Sequence, residues 1–386
     1  MGISRKPLLR VSDLRPRTQG DVVSALRDGG SSIQFYNAGR TALSQGLREQ
    51  FGENASGTAL LPSYICSAAM PPFRESGLDV EFYDVAPDTE PDVEDLASRV
   101  TEETVAVVTV DYFGFPSRRF DEIDRLSQEE DLVHIEDNAH SVFSRSGSEL
   151  LGTRGDWGIG SLHKLLPVPD GGVLFTPEES GGPPAAPPRT SDLDFLVRTA
   201  IKRIDSRLLD GSVVQWINDR SRNGRDGYLD GDDYMDGSSD GGLAVEGMSA
   251  LTGRVLRATD PERIVERRRQ NYAAAADVIA HVPGVEALFP DLDPGVCPLF
   301  FPVLAESPEA VTGRLQAVNV PVRPWPFLPG AVRGDDEYAT ANRLSKQVLT
   351  IPIHQHVDRF ELVEKLQTLE TRRTAATGSQ IPVTRP

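Results

Sequence analysis

From Ser32 to Thr176 short apolar runs alternate with stretches of helical spacing, and no other feature constrains the fold as strongly. Runs rich in β-branched residues, each followed by an amphipathic stretch, are the pattern of βα units that feed a mostly parallel sheet. Strands are expected at Thr58–Leu61, Val80–Val85, Thr104–Val110, Leu132–Ile135, Ile159–Leu162 and Val173–Thr176, with helices over Thr41–Phe51 and Phe120–Gln128. The expected fold class is α/β, a doubly wound domain. Such sheets bind ligands beyond the carboxyl ends of their strands, so the residues just after each apolar run carry the functional signal.

Beyond Thr176 the pattern breaks. Ser180–Pro188, SGGPPAAPP, reads as an exposed loop because proline and glycine exclude regular structure there. Leu208–Gly247 is rich in Gly and Asp. Its centre, LDGDDYMDGSSDGG, lacks the ligand spacing of an EF-hand and reads as a solvated acidic loop, so no metal site is expected. From Met248 onward helical stretches such as ERRRQNYAAAADVIAHV precede CPLFFPVL and VLTIPIHQHV, which suggests a smaller α+β domain. The expected division is an N-terminal arm over 1–31, a large domain over 32–247, a small C-terminal domain over 248–373 and a flexible tail over 374–386.

The chain has 386 residues and a formal net charge of -18. A surface of that sign repels nucleic acid and anionic membranes, so neither is an expected partner. Lysine is scarce, at positions 6, 164, 202, 346 and 365 only, and arginine supplies the remaining basic residues. Acid-rich, lysine-poor composition points to a halophilic habitat. Cys66 and Cys297 are too few for a disulfide framework. The opening MGISRKPLLRVSDLRPR lacks an apolar signal core, and the expected location is cytoplasmic.

Gly158–Thr176, GIGSLHKLLPVPDGGVLFT, sets a lysine in apolar surroundings, three residues after Ser161 and shortly before a Gly-Gly. Burial disfavours the ammonium, lowers its pKa and prepares the amine to attack an aldehyde. A lysine snorkelling out of a strand end would give the same local pattern. His163, beside Lys164, is expected to face away into the fold, as adjacent strand residues do.

In Leu132–His140, LVHIEDNAH, an apolar strand ends in Glu136 and Asp137. A carboxylate there can pair with the ring nitrogen of pyridoxal phosphate, keeping it protonated, or it can simply cap the next helix. His140 lies within reach of the cofactor's phenolic oxygen from the following turn. Tyr36–Leu43, YNAGRTAL, offers a phosphate cradle. Glycine admits close backbone approach, and the amides of Gly39, Arg40 and Thr41 at a helix start favour an anion. Ser161 can add its hydroxyl to the same phosphate.

The order AGRTAL, LLPSYICSAA, VVTVDYFGFP, HIEDNAHS and SLHKLLPVPDGG resembles the DegT/DnrJ/StrS aminotransferases of fold type I. The similarity covers most of Ile33–Thr176, with weaker echoes in NRLSKQVLTIPIHQ. It implies pyridoxal 5'-phosphate as cofactor, Lys164 as its Schiff-base lysine, Asp137 as the pyridinium partner and His140, where the family more often has Gln, as the contact to the phenolic oxygen. Ser161, Gly39 and Arg40 fall at phosphate-contact positions. Where the family often places an aromatic ring against the cofactor the chain has Cys66; Tyr64, two residues earlier, is the candidate substitute, and an ordinary buried tyrosine is the alternative. The family's Gly-Tyr-Asn-Tyr-Arg segment, which crosses to a partner subunit, is not legible, and GGLAVEGMS stands roughly in its place.

The resemblance implies transfer of an amino group from a donor such as glutamate to a keto sugar, nucleotide-linked, in a homodimer. Sugar dehydration on the same scaffold is the nearest alternative, and the lysine, which related dehydratases lack, favours transfer. A regulatory protein that keeps the fold without turnover is the third reading, because fold does not fix function.

Overall fold

The computed structural model describes residues 3–15, 21–27, 31–178 and 245–370. The acidic Gly/Asp-rich stretch up to residue 244, the proline-rich loop and the expected tail lie outside these residues. A seven-stranded sheet is built from β1 (Ser31–Tyr36), β2 (Thr58–Pro62), β3 (Asp79–Tyr83), β4 (Thr104–Val110), β5 (Val133–Asn138), β8 (Trp157–Ser161) and β9 (Gly172–Pro177), with the short hairpin β6 (Arg145–Ser146) and β7 (Glu149–Leu150) beside it. The spatial order is β1-β9-β8-β5-β4-β2-β3. Neighbours from β8 through β3 pair in parallel, while β9 pairs antiparallel with both β8 and β1. The expected strands are all present. β1 and the reversal at β9 are findings of the structure.

Helices cover both faces, as a mostly parallel sheet requires. They are α1 (Val22–Arg27), α2 (Gly39–Phe51), α3 (Met70–Ser76), α4 (Val93–Arg99), α5 (Phe120–Glu129) and α6 (Leu162–Leu165). α4 and α5 close one face over Leu60, Tyr83, Leu96, Val107 and Ile123. α2 and α3 lie against the other face, which merges into the main core. β4, TVAVVTV, is buried along nearly its whole length, so it shows an unbroken apolar run rather than alternation.

Residues after 244 form α7 (Ala250–Ala258), α8 (Pro261–Ile279), β10 (Val285–Ala287), β11 (Phe300–Ala305), α9 (Pro308–Ala317), β12 (Arg323–Pro324), α10 (Ala339–Gln347), β13 (Val348–Pro352) and α11 (Arg359–Gln367). The strands make an antiparallel sheet in the order β10-β11-β13-β12. The helix starts are written locally: Ser249 caps α7 through Thr252 N, Asp260 caps α8 ahead of Pro261, and Asp358 caps α11. α7 is tied to the large sheet by Asp170, which accepts from Ser249 N at 3.0 Å and from the Thr252 hydroxyl. One continuous apolar cluster, running from Ile3 to Leu369, joins both sheets.

Candidate active site

The chain turns from β1 into α2 through Asn37 and Ala38, so Gly39, Arg40 and Thr41 stand in the first turn of the helix. Alanine at the N-cap brings no side-chain oxygen to these positions. Gly172, at the start of β9, explains how close the helix sits to the sheet: a Cβ there would overlap the Ala38 carbonyl and crowd Gly39 N. Ser161, the last residue of β8, pairs across the ladder with Gly172. A Cβ built on Gly39 would stand 3.7 Å from the Ser161 hydroxyl, so the predicted cradle residues do come together. The Thr41 hydroxyl is turned inward and donates to Asn37 Oδ1 at 2.6 Å. Thr41 can therefore serve an anion through its amide, not its side chain.

Lys164 follows β8 in α6, a single turn that ends at Leu165 before the chain reverses into β9. The strand stops at Ser161, one residue earlier than expected. This corrects the expectation for His163. Lying on a helical turn and not a strand, it does not alternate away from the lysine. Its Nδ1 lies 3.1 Å from Ser161 Oγ. Burial pushes its pKa well below the ordinary value, and the nearby charges of Lys6, Lys164 and Arg40 push it further. The cations that repel a proton on His163 would attract an anion beside Gly39 and Ser161.

Asp137 and His140 come from the carboxyl end of β5 and the turn after it. Burial raises the Asp137 carboxyl above its usual range, and the Lys164 ammonium and the Ala139 amide, which donates to Oδ1 at 2.8 Å, pull it back. Burial also pushes the His140 imidazole well below its usual value, and Lys164 adds to that. His140 is therefore neutral at pH 7. Its Nδ1 accepts from the Phe113 amide at 2.9 Å, which leaves the proton on Nε2. Phe113 stacks on the imidazole with centroids 5.5 Å apart and holds a left-handed backbone with φ of 57°. That conformation is rare for a bulky residue and collects at functional sites.

Tyr64 is fully buried. Its hydroxyl donates to the Trp325 carbonyl at 2.7 Å, and its ring packs against Tyr112 and Trp325. This favours the buried-tyrosine reading. Trp325, which sequence reasoning passed over, meets Phe113 at 5.0 Å and His140 at 4.9 Å between ring centroids. It follows β12, so the small sheet supplies one wall beside His140.

On the opposite face of β5, Glu136 is fully buried and holds Arg154, whose Nε donates to it at 2.7 Å, while an Arg154 Nη donates to Asp111 at 3.0 Å. Burial and the neighbouring Glu136 raise Asp111 well above the usual carboxylate range, against the pull of Arg154.

A lysine on a turn, a buried carboxyl, a neutral imidazole N–H and a helix start meet at the carboxyl ends of β5 and β8. This donor set fits the aldehyde, ring nitrogen, phenolic oxygen and phosphate of pyridoxal phosphate. Residues 32–181 match the model of the DegT/DnrJ/EryC1/StrS aminotransferase family. Over 124 residues the chain is 32% identical to the GDP-4-keto-6-deoxy-D-mannose 3-dehydratase of Escherichia coli O55:H7, covering 31% of this chain and 31% of that protein. The match thus spans about a third of the curated relative's length. The aminotransferase TlmJ from Streptoalloteichus hindustanus superposes with a TM-score of 0.68 at 19% identity, over 96% of this chain and 98% of that one. The E. coli GDP-4-keto-6-deoxy-D-mannose-3-dehydratase solved with bound hydrated PLP superposes with a TM-score of 0.62 at 20% identity, over 91% and 92%. These likenesses establish that the fold extends beyond the family segment, with the large, mostly parallel sheet of fold type I.

Proposed function

We propose that the chain is a pyridoxal-phosphate aminotransferase that moves an amino group from an amino-acid donor, glutamate in the first instance, to a nucleotide-linked keto sugar, as a cytoplasmic homodimer. The observation that carries this reading is the placement of Lys164 on the turn after β8, where its charge acts on both Asp137 and His140. Bound there, pyridoxal phosphate supplies an aldehyde for the lysine and a ring that accepts the electrons of a broken C–H bond. Lys164 would hold the cofactor covalently, and its amine, when free, would take up the proton released from that C–H bond. Asp137 keeps a positive charge on the ring nitrogen through a charge-assisted hydrogen bond. His140 donates from Nε2 to the phenolic oxygen. Ser161 and the first turn of α2 hold the phosphate.

Borohydride reduction of the cofactor-loaded protein followed by peptide mapping tests the assignment. Label at Lys164, lost in Lys164→Ala, is expected; label at Lys202 or Lys346 would overturn it. A second reading, dehydration of a keto sugar, is favoured by the likeness to two dehydratases, 32% and 31% identical over 124 residues. The retained lysine supports transfer, and product analysis separates the two, since only transfer leaves nitrogen on the sugar. A member that regulates without turnover would show no spectral response of the bound cofactor to glutamate.

A further inference from the structure

Arg268 of α8 is fully buried and 104 residues away in sequence from the lysine, yet it reaches the lysine's turn. Its Nη2 donates at 3.1 Å to the carbonyl of Leu165, the residue that follows Lys164. Gln355, in the loop after β13, donates to the same oxygen at 3.0 Å and accepts from Arg268 Nε at 3.1 Å. The other guanidinium nitrogen donates to the carbonyls of Pro298 and Leu299. Asn271, one turn further along α8, donates to the carbonyls of Ile353, His354 and Val357. It thereby fixes the loop that carries Gln355.

This arrangement is costly as a mere filling of the core. A buried cation normally needs a carboxylate partner, but the hydrogen-bond partners of Arg268 among the described residues are carbonyl and amide oxygens. Burial lowers its pKa to about 10, which leaves it charged at neutral pH. An apolar side chain would fill the volume without desolvating a charge. What only the planar fork supplies is direction: it joins α8, the loop after β13 and the end of α6 through fixed donors.

We propose that Arg268 and Gln355 are positioning residues for Lys164, gripping the Leu165 carbonyl and so holding the lysine-bearing turn against the small sheet. The inference rests on the role given to Lys164 above. A four-residue helix has too few internal hydrogen bonds to fix its own orientation, and Leu165 is where α6 ends. The grip supplies that orientation from outside. It also makes the aim of the lysine depend on how the small sheet docks.

The test uses the cofactor-loaded full chain with Gln355→Leu, Arg268→Lys and, as a control on the same helix, Tyr272→Phe, which removes a buried hydrogen bond to Phe289. Two quantities are read: the pH midpoint of the lysine-linked chromophore, and the single-turnover rate with glutamate against its Kd. We expect Gln355→Leu and Arg268→Lys to move the midpoint by about half a pH unit or more and to slow turnover about tenfold or more at unchanged Kd, as loss of an orienting partner does elsewhere. Tyr272→Phe should move neither. If Arg268→Lys does not fold, Gln355→Leu decides alone. A wild-type chromophore on Lys164 together with wild-type midpoint and rate in Gln355→Leu overturns the positioning role and leaves the function standing. A wild-type protein that never forms the chromophore overturns both.

Discussion

The Phe113 amide donates to Nδ1 of His140 at 2.9 Å, and that single bond sets the imidazole's tautomer. A neutral ring whose Nδ1 accepts must carry its proton on Nε2. Phe113 can point its amide this way because its backbone is left-handed, and stacking on the imidazole holds the pair together.

The role proposed for His140 asks for a neutral donor at position 140, not a titrating base. His140→Gln, which keeps an N–H, should retain single-turnover activity with glutamate to within about tenfold. His140→Leu should lose about ten- to a hundredfold, the equivalent of one unmade buried hydrogen bond. The rate profile between pH 5 and 8 should be alike in wild type and His140→Gln. A breakpoint that disappears in the glutamine variant would show that His140 titrates.

Asp137 lies one residue from Glu136 and serves the other face of the sheet. Asp137→Asn should still bind pyridoxal phosphate, because the phosphate cradle and Lys164 are untouched, but should slow transfer about a hundredfold or more, since a neutral amide no longer favours the protonated ring nitrogen. Cofactor absorbance gives occupancy and stopped-flow gives the rate. Near-normal transfer at full occupancy would remove Asp137 from its role.

The site was legible in the sequence where the chemistry is local. Ser161, Lys164, Asp137 and the Gly39 turn each follow an apolar run, and period-two alternation separates Glu136 from Asp137 without any structure. The reversal of β9 was not legible, since a buried strand reads the same in either direction. The short helix α6 escaped too, and with it the direction of His163. Trp325, Arg268 and Gln355 reach the site from the opposite end of the chain. Their partners lie 103 to 261 residues away, and no local pattern signals such pairing.

Asp111, Glu136 and Arg154 form a buried group with two carboxyls for one guanidinium. Asp111 Oδ2 has no donor within reach, and Asp111 is raised well above the carboxylate range by burial and then by Glu136. A proton on Asp111, shared toward Glu136, satisfies both observations. Asp111→Asn reproduces that donor and should change unfolding free energy by no more than about 1 kcal/mol. Arg154→Met leaves the carboxylate of Glu136 buried without its cation and should cost about 3–5 kcal/mol. Denaturant titrations at pH 7 would show this order; a larger loss in Asp111→Asn would mean that Asp111 is ionised.

His354 is held neutral mainly by burial, which lowers its pKa from 6.5 to about 3. In the unfolded chain it titrates near 6.5, so between these values the unfolded state binds a proton that the folded state refuses. Stability from this residue is complete above pH 6.5 and falls as the solution is acidified. At pH 5 the loss is about 2 kcal/mol, from 1.5 units at about 1.36 kcal/mol each. Asp111 acts in the opposite sense, so the clean measurement is a difference. Wild type should lose about 2 kcal/mol more than His354→Asn between pH 7.5 and pH 5. Parallel curves would show that His354 is protonated in the folded protein.

Assembly carries the last prediction. In the homodimer proposed above, C₂ symmetry makes any segment that reaches across to the other chain's site do so twice, reciprocally. The acidic stretch before Met248 is the candidate, because it stands near the place where the family's cross-subunit segment is expected. Charge opposes this assembly. Two chains of net -18 repel each other, and the repulsion reaches about 10 Å at 0.1 M salt against about 3 Å at 1 M. Dimer formation and retention of the cofactor should therefore strengthen together as salt rises, with the cofactor lost first on dilution at low salt. Light scattering and cofactor absorbance followed over one salt series measure both. If the two move together, the subunits share the site; a monomer that keeps its cofactor and full activity at 1 M salt would show that each chain is complete alone.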